Sequence, residues 1–348
     1  MGSLALSSTA FEAVAAKLRA SRGMAAKADI AVAAARLGLG GQGLGTQGAV
    51  PVGDDCAAIP DGDGYLLLAI EGFMNAFVAG DPWFAGWCGV MVNLSDIAAM
   101  GGRPLAVVDA VWASGEDGAA PVLEGLRAAS ARFGVPIVGG HTNLATDRSQ
   151  LSVAVLGRAS RLLTSFDARP GETLIAAIDL RGRYREPFSN WEAATDAPAQ
   201  RLRGDLELLP FIAEAGLSRA AKDISQGGLV GTAAMLAECS GVGVEIDLAK
   251  VPAPDGVDPA RWLMSFPSYG YLLTATPAHV PAVLAAFHGR DIAAASVGVV
   301  TAGRRVELVQ GAARETIWDF ARRSLLGCGP AVLQLDEAAA PAVAEDAA

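Results

Sequence analysis

The sequence predicts an α+β chain of two domains, and three observations carry that reading. Its 348 residues supply enough apolar material for two cores. From residue 51 onward, short apolar runs of strand type alternate with segments of helical spacing, and several strands follow one another closely. Between residues 164 and 174 the segment TSFDARPGETL breaks the apolar pattern. It reads as the bridge between a first domain over 51–163 and a second over 164–330.

Residues 1–50 read as an N-terminal arm. FEAVAAKLRA (11–20) and ADIAVAAARLGL (28–39) have helical spacing and pass into GLGGQGLGTQGAVP (38–51). Glycine at that density builds neither a stable helix nor a packed strand. The stretch is expected to be a linker, or a loop closing over phosphates without the GKS/T ending of a P-loop. A strand is expected around 52–60, and YLLLAIEG (65–72) reads as a buried strand. Asp81-Pro82 combines an N-cap with proline at the first helical position. The helix it starts runs from Pro82 to about Met100 and stops at Gly101-Gly102. LAVVDAVW (105–112), VPIVGG (135–140) and LSVAVLGR (151–158) are strands around a helix over 120–133. In the second domain GETLIAAIDL gives a strand and 201–216 a helix, and 222–247 gives loop, glycine turn, helix and strand. YGYLLTA, a helix near 278–288, ASVGVV and RRVELV complete it. Residues 331–348, rich in alanine and acid, read as a disordered tail.

A formal net charge of −10 argues against nonspecific nucleic-acid binding, which needs basic surface to displace counterions. No apolar run of about 18 residues suggests a membrane span, and the first twenty residues lack the basic-then-apolar order of a signal peptide. A soluble, cytoplasmic protein with neither nucleic acid nor membrane as partner is the expectation. Cys56, Cys88, Cys239 and Cys328 are far apart with no C-x-x-C pair, which disfavours thiolate metal sites and a disulfide framework.

Four acidic positions stand out because each adjoins glycine or ends an apolar element. They are Asp54-Asp55 in VGDDCAAIP, Glu71 closing YLLLAI, Asp96 in VNLSDIAAMGGRP and Asp223 in KDISQGGLVG. Asn93 and Asp96, three apart, share one face of the 82–100 helix. Each acid taken alone has an ordinary explanation. Asp223 suits a helix cap, Asp54 a turn, Glu71 an exposed strand end, and Asp96 an ion pair with Arg103. Together, buried carboxylates with few lysines nearby need cations. Oxygen-only donors with scarce histidine and cysteine point to Mg²⁺, which shares its shell with substrate phosphates. GGHTN (139–143) adds glycines at which backbone approaches a ligand, followed by His141, Thr142 and Asn143.

GDDCAAIP, NLSDIAAMGGRP, VGGHTN and KDISQGGLVGT, in that order, resemble the aminoimidazole ribonucleotide synthetase superfamily, which includes thiamine-monophosphate kinase and selenophosphate synthetase. The resemblance covers residues 50 to about 310. It implies a two-domain α+β fold in which the N-terminal domain carries a mixed sheet and pairs in a homodimer with a barrel-like core. The C-terminal domain is then an α/β sandwich. It also implies ATP between the domains, held through Mg²⁺ by Asp55 with Asp54, by Asp96 and by Asp223, with Asn93, Gly139, Gly140, His141 and Thr142 lining the groove. Glu71 stands where relatives usually have aspartate, and is a fourth metal-ligand candidate. Selenophosphate synthetases carry a reactive cysteine or selenocysteine and a lysine in the glycine-rich segment; residues 38–48 contain neither. Thiamine-monophosphate kinase is the nearest in motif wording, yet Ser225-Gln226-Gly227-Gly228 replaces its serine-aspartate-glycine-leucine turn.

The expected activity is therefore Mg²⁺-dependent transfer of the γ-phosphate of ATP to an oxygen of a small-molecule substrate, by a kinase or synthetase. His141 is the candidate proton relay. Two other readings stand beside it: a nucleotide-binding partner protein without turnover, and a metal-dependent hydrolase. Trp83, Phe84 and Trp87 suit a core or an interface better than an adenine stack. Residues 184–200 are expected to line the substrate pocket, with Arg181, Arg183 and Arg185 as candidate grips for an anionic substrate.

Overall fold

The computed structural model describes residue 4 and residues 6–37, 50–267 and 269–328. The glycine-rich 38–48 segment and the 331–348 tail lie outside the described residues. Two helices open the chain, α1 (Ser8–Arg19) and α2 (Arg22–Leu37). The next part runs β1 (Ala57–Asp61), β2 (Gly64–Gly72), α3 (Asn75–Gly80), α4 (Pro82–Ala99), β3 (Arg103–Ser114), α5 (Gly115–Phe133), β4 (Ile137–Asn143) and β5 (Ala145–Ala159). Its strands form a mixed sheet in the order β1-β2-β5-β3-β4, with β3 and β4 parallel and the other pairs antiparallel.

After a connection over 160–172 come β6 (Thr173–Ile178), β7 (Arg183–Tyr184), β8 (Asn190–Glu192), α6 (Ala199–Leu206), α7 (Leu208–Glu214), β9 (Ala220–Asp223), α8 (Gly228–Ser240) and β10 (Gly243–Asp247). The chain ends with α9 (Pro259–Met264), β11 (Phe266–Pro267), β12 (Gly270–Ala275), α10 (Val280–His288), β13 (Ala293–Thr301), β14 (Arg305–Gln310) and β15 (Ala313–Asp319). Seven of these strands make a second mixed sheet, β15-β14-β10-β13-β6-β12-β9. The result is the two-domain α+β architecture expected. Among the described residues, no helix is long and apolar enough to cross a membrane.

Helix α4 is the wedge between the two sheets. Asp81 caps it by accepting from the Phe84 amide at 3.2 Å, and Pro82 opens it. Gly101, at φ +75°, turns the chain out of its end; there a side chain would be strained. Between these limits the helix is apolar on nearly every side. Leu94, Ile97 and Met100 are fully buried in a core that joins Leu67, Val107 and Val153 of the first sheet to Ile175, Tyr271 and Leu273 of the second. A helix that is apolar all round is a buried helix, and Asn93 and Asp96 are the polar residues it carries inside.

The second sheet is covered on both faces. Along β6, Ile175 and Ala177 face the α4 core, while Leu174, Ala176 and Ile178 face a second core with α8 and α1, the period of two expected of a strand. The arm helices dock there through Phe11, Val14, Leu18 and Met24. Among the described residues, the first sheet is covered on one face only. Its other face exposes Leu68, Ile70, Val108, Val138 and Leu156.

Three local expectations change. Gly53–Asp55 form a bend, and β1 begins only at Ala57. The helix expected over 201–216 breaks into α6 and α7 at Glu207, because Pro210 has no N–H for the Leu206 carbonyl. ARETIWD, given no element by its pattern, pairs with β14 as β15.

Helices α4 and α5 touch through backbone. A Cβ at Gly125 would lie 1.9 Å from the Trp83 carbonyl oxygen, and one at Gly86 2.1 Å from that of Val122. Neither neighbour is a flexible side-chain end, so the helices must separate to admit a methyl. Gly125→Ala is expected to destabilise the fold by about 1–3 kcal/mol, the usual cost of overpacking, read from denaturant unfolding. An unchanged midpoint would show that this contact is not tight in solution.

Candidate active site

Three acids from three separate segments meet between the sheets. Asp55 comes from the bend before β1, Asp96 from the last turn of α4 and Asp223 from the end of β9. One carboxylate oxygen of each lies within 4.8 Å of the others. Asp96 is 6 % exposed. Its Oδ2, the Oδ1 of Asp223 and the Oδ1 of Asn93 are buried without a hydrogen-bond partner among the described residues. The other end of Asn93 is satisfied, its Nδ2 donating to the Gly89 carbonyl at 2.8 Å. A buried acceptor left unpaired costs free energy, so these oxygens mark a place where a donor or cation belongs. Hard oxygen donors suit Mg²⁺ or a similar divalent ion, and the partnerless oxygens fit that role.

Lys222 is the residue the sequence reading missed. Its ammonium pairs with Asp55 Oδ1, both side chains being 5 % exposed, while the Asp223 amide donates to Asp55 Oδ2 at 3.3 Å. A lysine inside the apolar strand AAKD was the available signal. Burial alone would lower the Lys222 pKa, but Asp55, Asp54 and Asp223 more than offset it and hold the ammonium charged. One cation does not balance the acids. Burial pushes Asp54 up to about 6 against the pull of Lys222, and burial followed by Asp55 pushes Asp223 up to about 8. Asp96 is likewise pushed well above its ordinary range, by burial and then by Asp223 and Asp55.

The remaining sequence candidates fall into two groups. Asp54 accepts from the Ser165 amide at 2.7 Å and from its hydroxyl at 2.6 Å, tying the bend to the connection between the sheets. Glu71 lies in the same cleft but outside the group of three. By contrast, Gly139, Gly140, His141 and Thr142 are exposed on β4, which among the described residues is an edge strand bonded to β3. They do not line the cleft of their own chain. His141 instead stands against Trp112, ring centroids 5.6 Å apart. The single sheet separates them, since β5 and β3 lie between β2 and β4.

The acids floor an open cleft of about 570 Å³. The arm helix α2 forms one wall with Lys27 and Ile30. It is pinned at Gly23, where a Cβ would lie 2.4 Å from the Gln226 carbonyl oxygen. Phe77, Phe188, Met264 and Phe266 make an apolar wall, and Ser189 and Asn190 of the expected 184–200 lining join it. The arginines before that segment are committed elsewhere: Arg181 to Asp179, Arg183 to Asp196 and Arg185 to Asp81. Arg103 likewise pairs with Glu207 and Glu214, leaving Asp96 without that partner. Phe84 and Trp87 are core residues at 1 % exposure each. All four cysteines are buried free thiols.

Comparison with known proteins agrees with this architecture. Residues 53–159 match the N-terminal domain, and residues 188–311 the C-terminal domain, of AIR synthase related proteins. An uncharacterized protein of Synechocystis sp. is 48% identical over 286 residues, covering 82% of this chain and 88% of that protein. A thiamine-monophosphate kinase of Halobacterium salinarum is 29% identical over 236 residues, covering 65% of this chain and 80% of that one. Among solved structures, PurL of Thermotoga maritima complexed with ATP superposes with a TM-score of 0.66 at 20% identity, over 78% of this chain and 46% of that one. The matched segments include the first sheet, five of the seven strands of the second and all three clustered acids: the chain belongs to the AIR synthase related family.

Proposed function

We propose that the chain is a Mg²⁺-dependent, ATP-binding enzyme that transfers the γ-phosphate of ATP to an oxygen of a small-molecule substrate. The observation that carries this reading is the convergence of Asp55, Asp96 and Asp223 with partnerless buried oxygens at the floor of an open cleft. Relatives named as thiamine-monophosphate kinases and a structural neighbour complexed with ATP support it. The metal would supply neutralising charge for the transferred phosphoryl group. The chain's own contribution is positional. Asp55, Asp96 and Asp223 hold the cation, and Glu71 at the mouth is placed to add a carboxylate. Ser225 and Gln226 line the cleft beside the acids, and the walls restrict water.

The same reading includes a homodimer. The exposed face with Leu68, Ile70, Val108, Val138 and Leu156 is the kind of contiguous apolar surface that partners cover. Pairing through it would let β4 of a second copy lend His141, Thr142 and the Gly139-Gly140 backbone to a cleft their own chain does not reach. His141 would then serve as proton relay or substrate contact.

Calorimetric titration tests the nucleotide site. Wild type is expected to bind ATP only with Mg²⁺. Asp55→Asn and Asp96→Asn should weaken binding beyond the roughly 10–100-fold that loss of an outer-shell partner costs. Equal binding without Mg²⁺, or in both variants, would refute the reading.

Stability against pH gives a second test. A carboxyl whose folded pKa is raised binds its proton more tightly folded than unfolded, so its contribution is full below the unfolded value and lost as pH rises. For Asp223 that window runs from its ordinary 3.8 to about 8. Without divalent cations, Asp223→Asn should therefore gain stability relative to wild type between about pH 4 and 8. Added Mg²⁺ should cancel or reverse the gain. Comparing the two proteins removes the opposite trend from Glu124 and Glu214, whose pKa values arginine hydrogen bonds lower. A constant difference across that range would contradict the proposed charge imbalance. Sedimentation tests the third element: wild type should run as a dimer and Leu156→Arg as a monomer, whereas a monomeric wild type would remove the shared site.

A further inference from the structure

Lys222 sits where a cation is needed and none of the sequence motifs assigns it a role. Its ammonium is paired with the same Asp55 oxygen set that faces Asp96 and Asp223. Its backbone cannot follow a ligand, because β9 is bonded to β12 with Lys222 opposite Leu272. Its side chain can, since four methylenes and rotatable bonds let Nζ swing several ångströms about a fixed Cα. The pair is also deeply buried, so solvent screens it little. A second cation brought to Asp55 would meet Lys222 at close range and be repelled, at a distance where unit charges interact strongly outside bulk water.

Resting on the metal–nucleotide reading above, we propose that Lys222 is an internal counter-cation that couples metal to nucleotide. In the empty cleft it holds Asp55 and opposes a bare divalent ion. When a nucleotide arrives, its phosphate oxygens offer Lys222 an alternative anionic partner, Nζ leaves Asp55, and the carboxylate is freed for the metal. Metal alone then binds weakly, and metal with nucleotide binds cooperatively. Lys222 acts here through Asp55 and on the nucleotide's phosphates, which distinguishes it from a lysine that only satisfies a buried acid. A lysine that only satisfied the buried acid would also repel the metal, but its removal would leave the gain from nucleotide unchanged.

The experiment is calorimetric titration of Mg²⁺ alone, and of Mg²⁺ in the presence of the non-hydrolysable analogue AMPPCP, into the full chain and into Lys222→Met. Wild type should bind Mg²⁺ at least tenfold more tightly with AMPPCP than without. Lys222→Met should bind Mg²⁺ alone at least tenfold more tightly than wild type does, and lose most of the gain from AMPPCP. Unchanged or weaker binding of Mg²⁺ by the variant would overturn the inference while leaving the nucleotide site standing. Wild type that binds AMPPCP neither with nor without Mg²⁺ would overturn the site reading itself. Should Lys222→Met fail to fold, a crystal structure of wild type with Mg²⁺ and AMPPCP decides. Nζ within hydrogen-bond distance of a phosphate oxygen supports the proposal, and Nζ still on Asp55 overturns it.

Discussion

The cost of burying carboxylates between two sheets governs much of this structure. Asp54, Asp55, Asp96 and Asp223 are brought into one low-dielectric region with Lys222 as their near cation. Removing charge from water is expensive unless it is paired and hydrogen-bonded, and here the pairing is incomplete. Folding places the acids there anyway, because the apolar segments that carry them bury far more surface than the acids forfeit. The imbalance that results is what the proposed divalent ion would relieve.

Helix α4 is how the fold sustains that imbalance. It is packed between the sheets by Leu94, Ile97 and Met100, and locked against α5 at Gly86 and Gly125 by backbone contact. A helix held so tightly cannot roll to carry Asp96 out to solvent. The acid stays inside even though its Oδ2 has no partner. Asp55 and Asp223 are held as firmly by other means. The bend carrying Asp55 is tied down by Asp54 and Ser165, and Asp223 ends a strand bonded along β12. Rigid elements thus preset the geometry before any ligand arrives, which lowers the ordering cost of binding.

The arm and the apolar sheet face bear on the same cleft from outside the two-domain core. Helix α2 closes one side by resting Gly23 on the Gln226 carbonyl. The face exposing Leu68, Val138 and Leu156 is continuous with β2 and β4. β2 ends at Glu71 in the cleft, and β4 carries His141. A contact made on that face would therefore bear on the strand that carries Glu71 into the cleft and on the strand that carries His141.

Much of this was legible from residue patterns alone. Period-two apolar runs, the Asp81-Pro82 start and the Gly101-Gly102 stop are local signals, because strand alternation, capping and positive φ depend on a few neighbouring residues. They determined the two-domain α+β class, the order of the main strands and helices, and the length of α4. The acids were also visible, since a charge beside glycine in an apolar run is costly wherever the chain takes it. Tertiary structure alone decided which charges meet. Lys222 and Asp55 are 167 positions apart in sequence, and no local rule encodes a pairing across such a separation. It likewise decided that Arg181, Arg183 and Arg185 are occupied by Asp179, Asp196 and Asp81, and that His141 lies across the sheet from the acids it was grouped with. Local sequence determines backbone conformation through short-range sterics and hydrogen bonds, whereas the partners of a buried charge are chosen by how the sheets and helices pack.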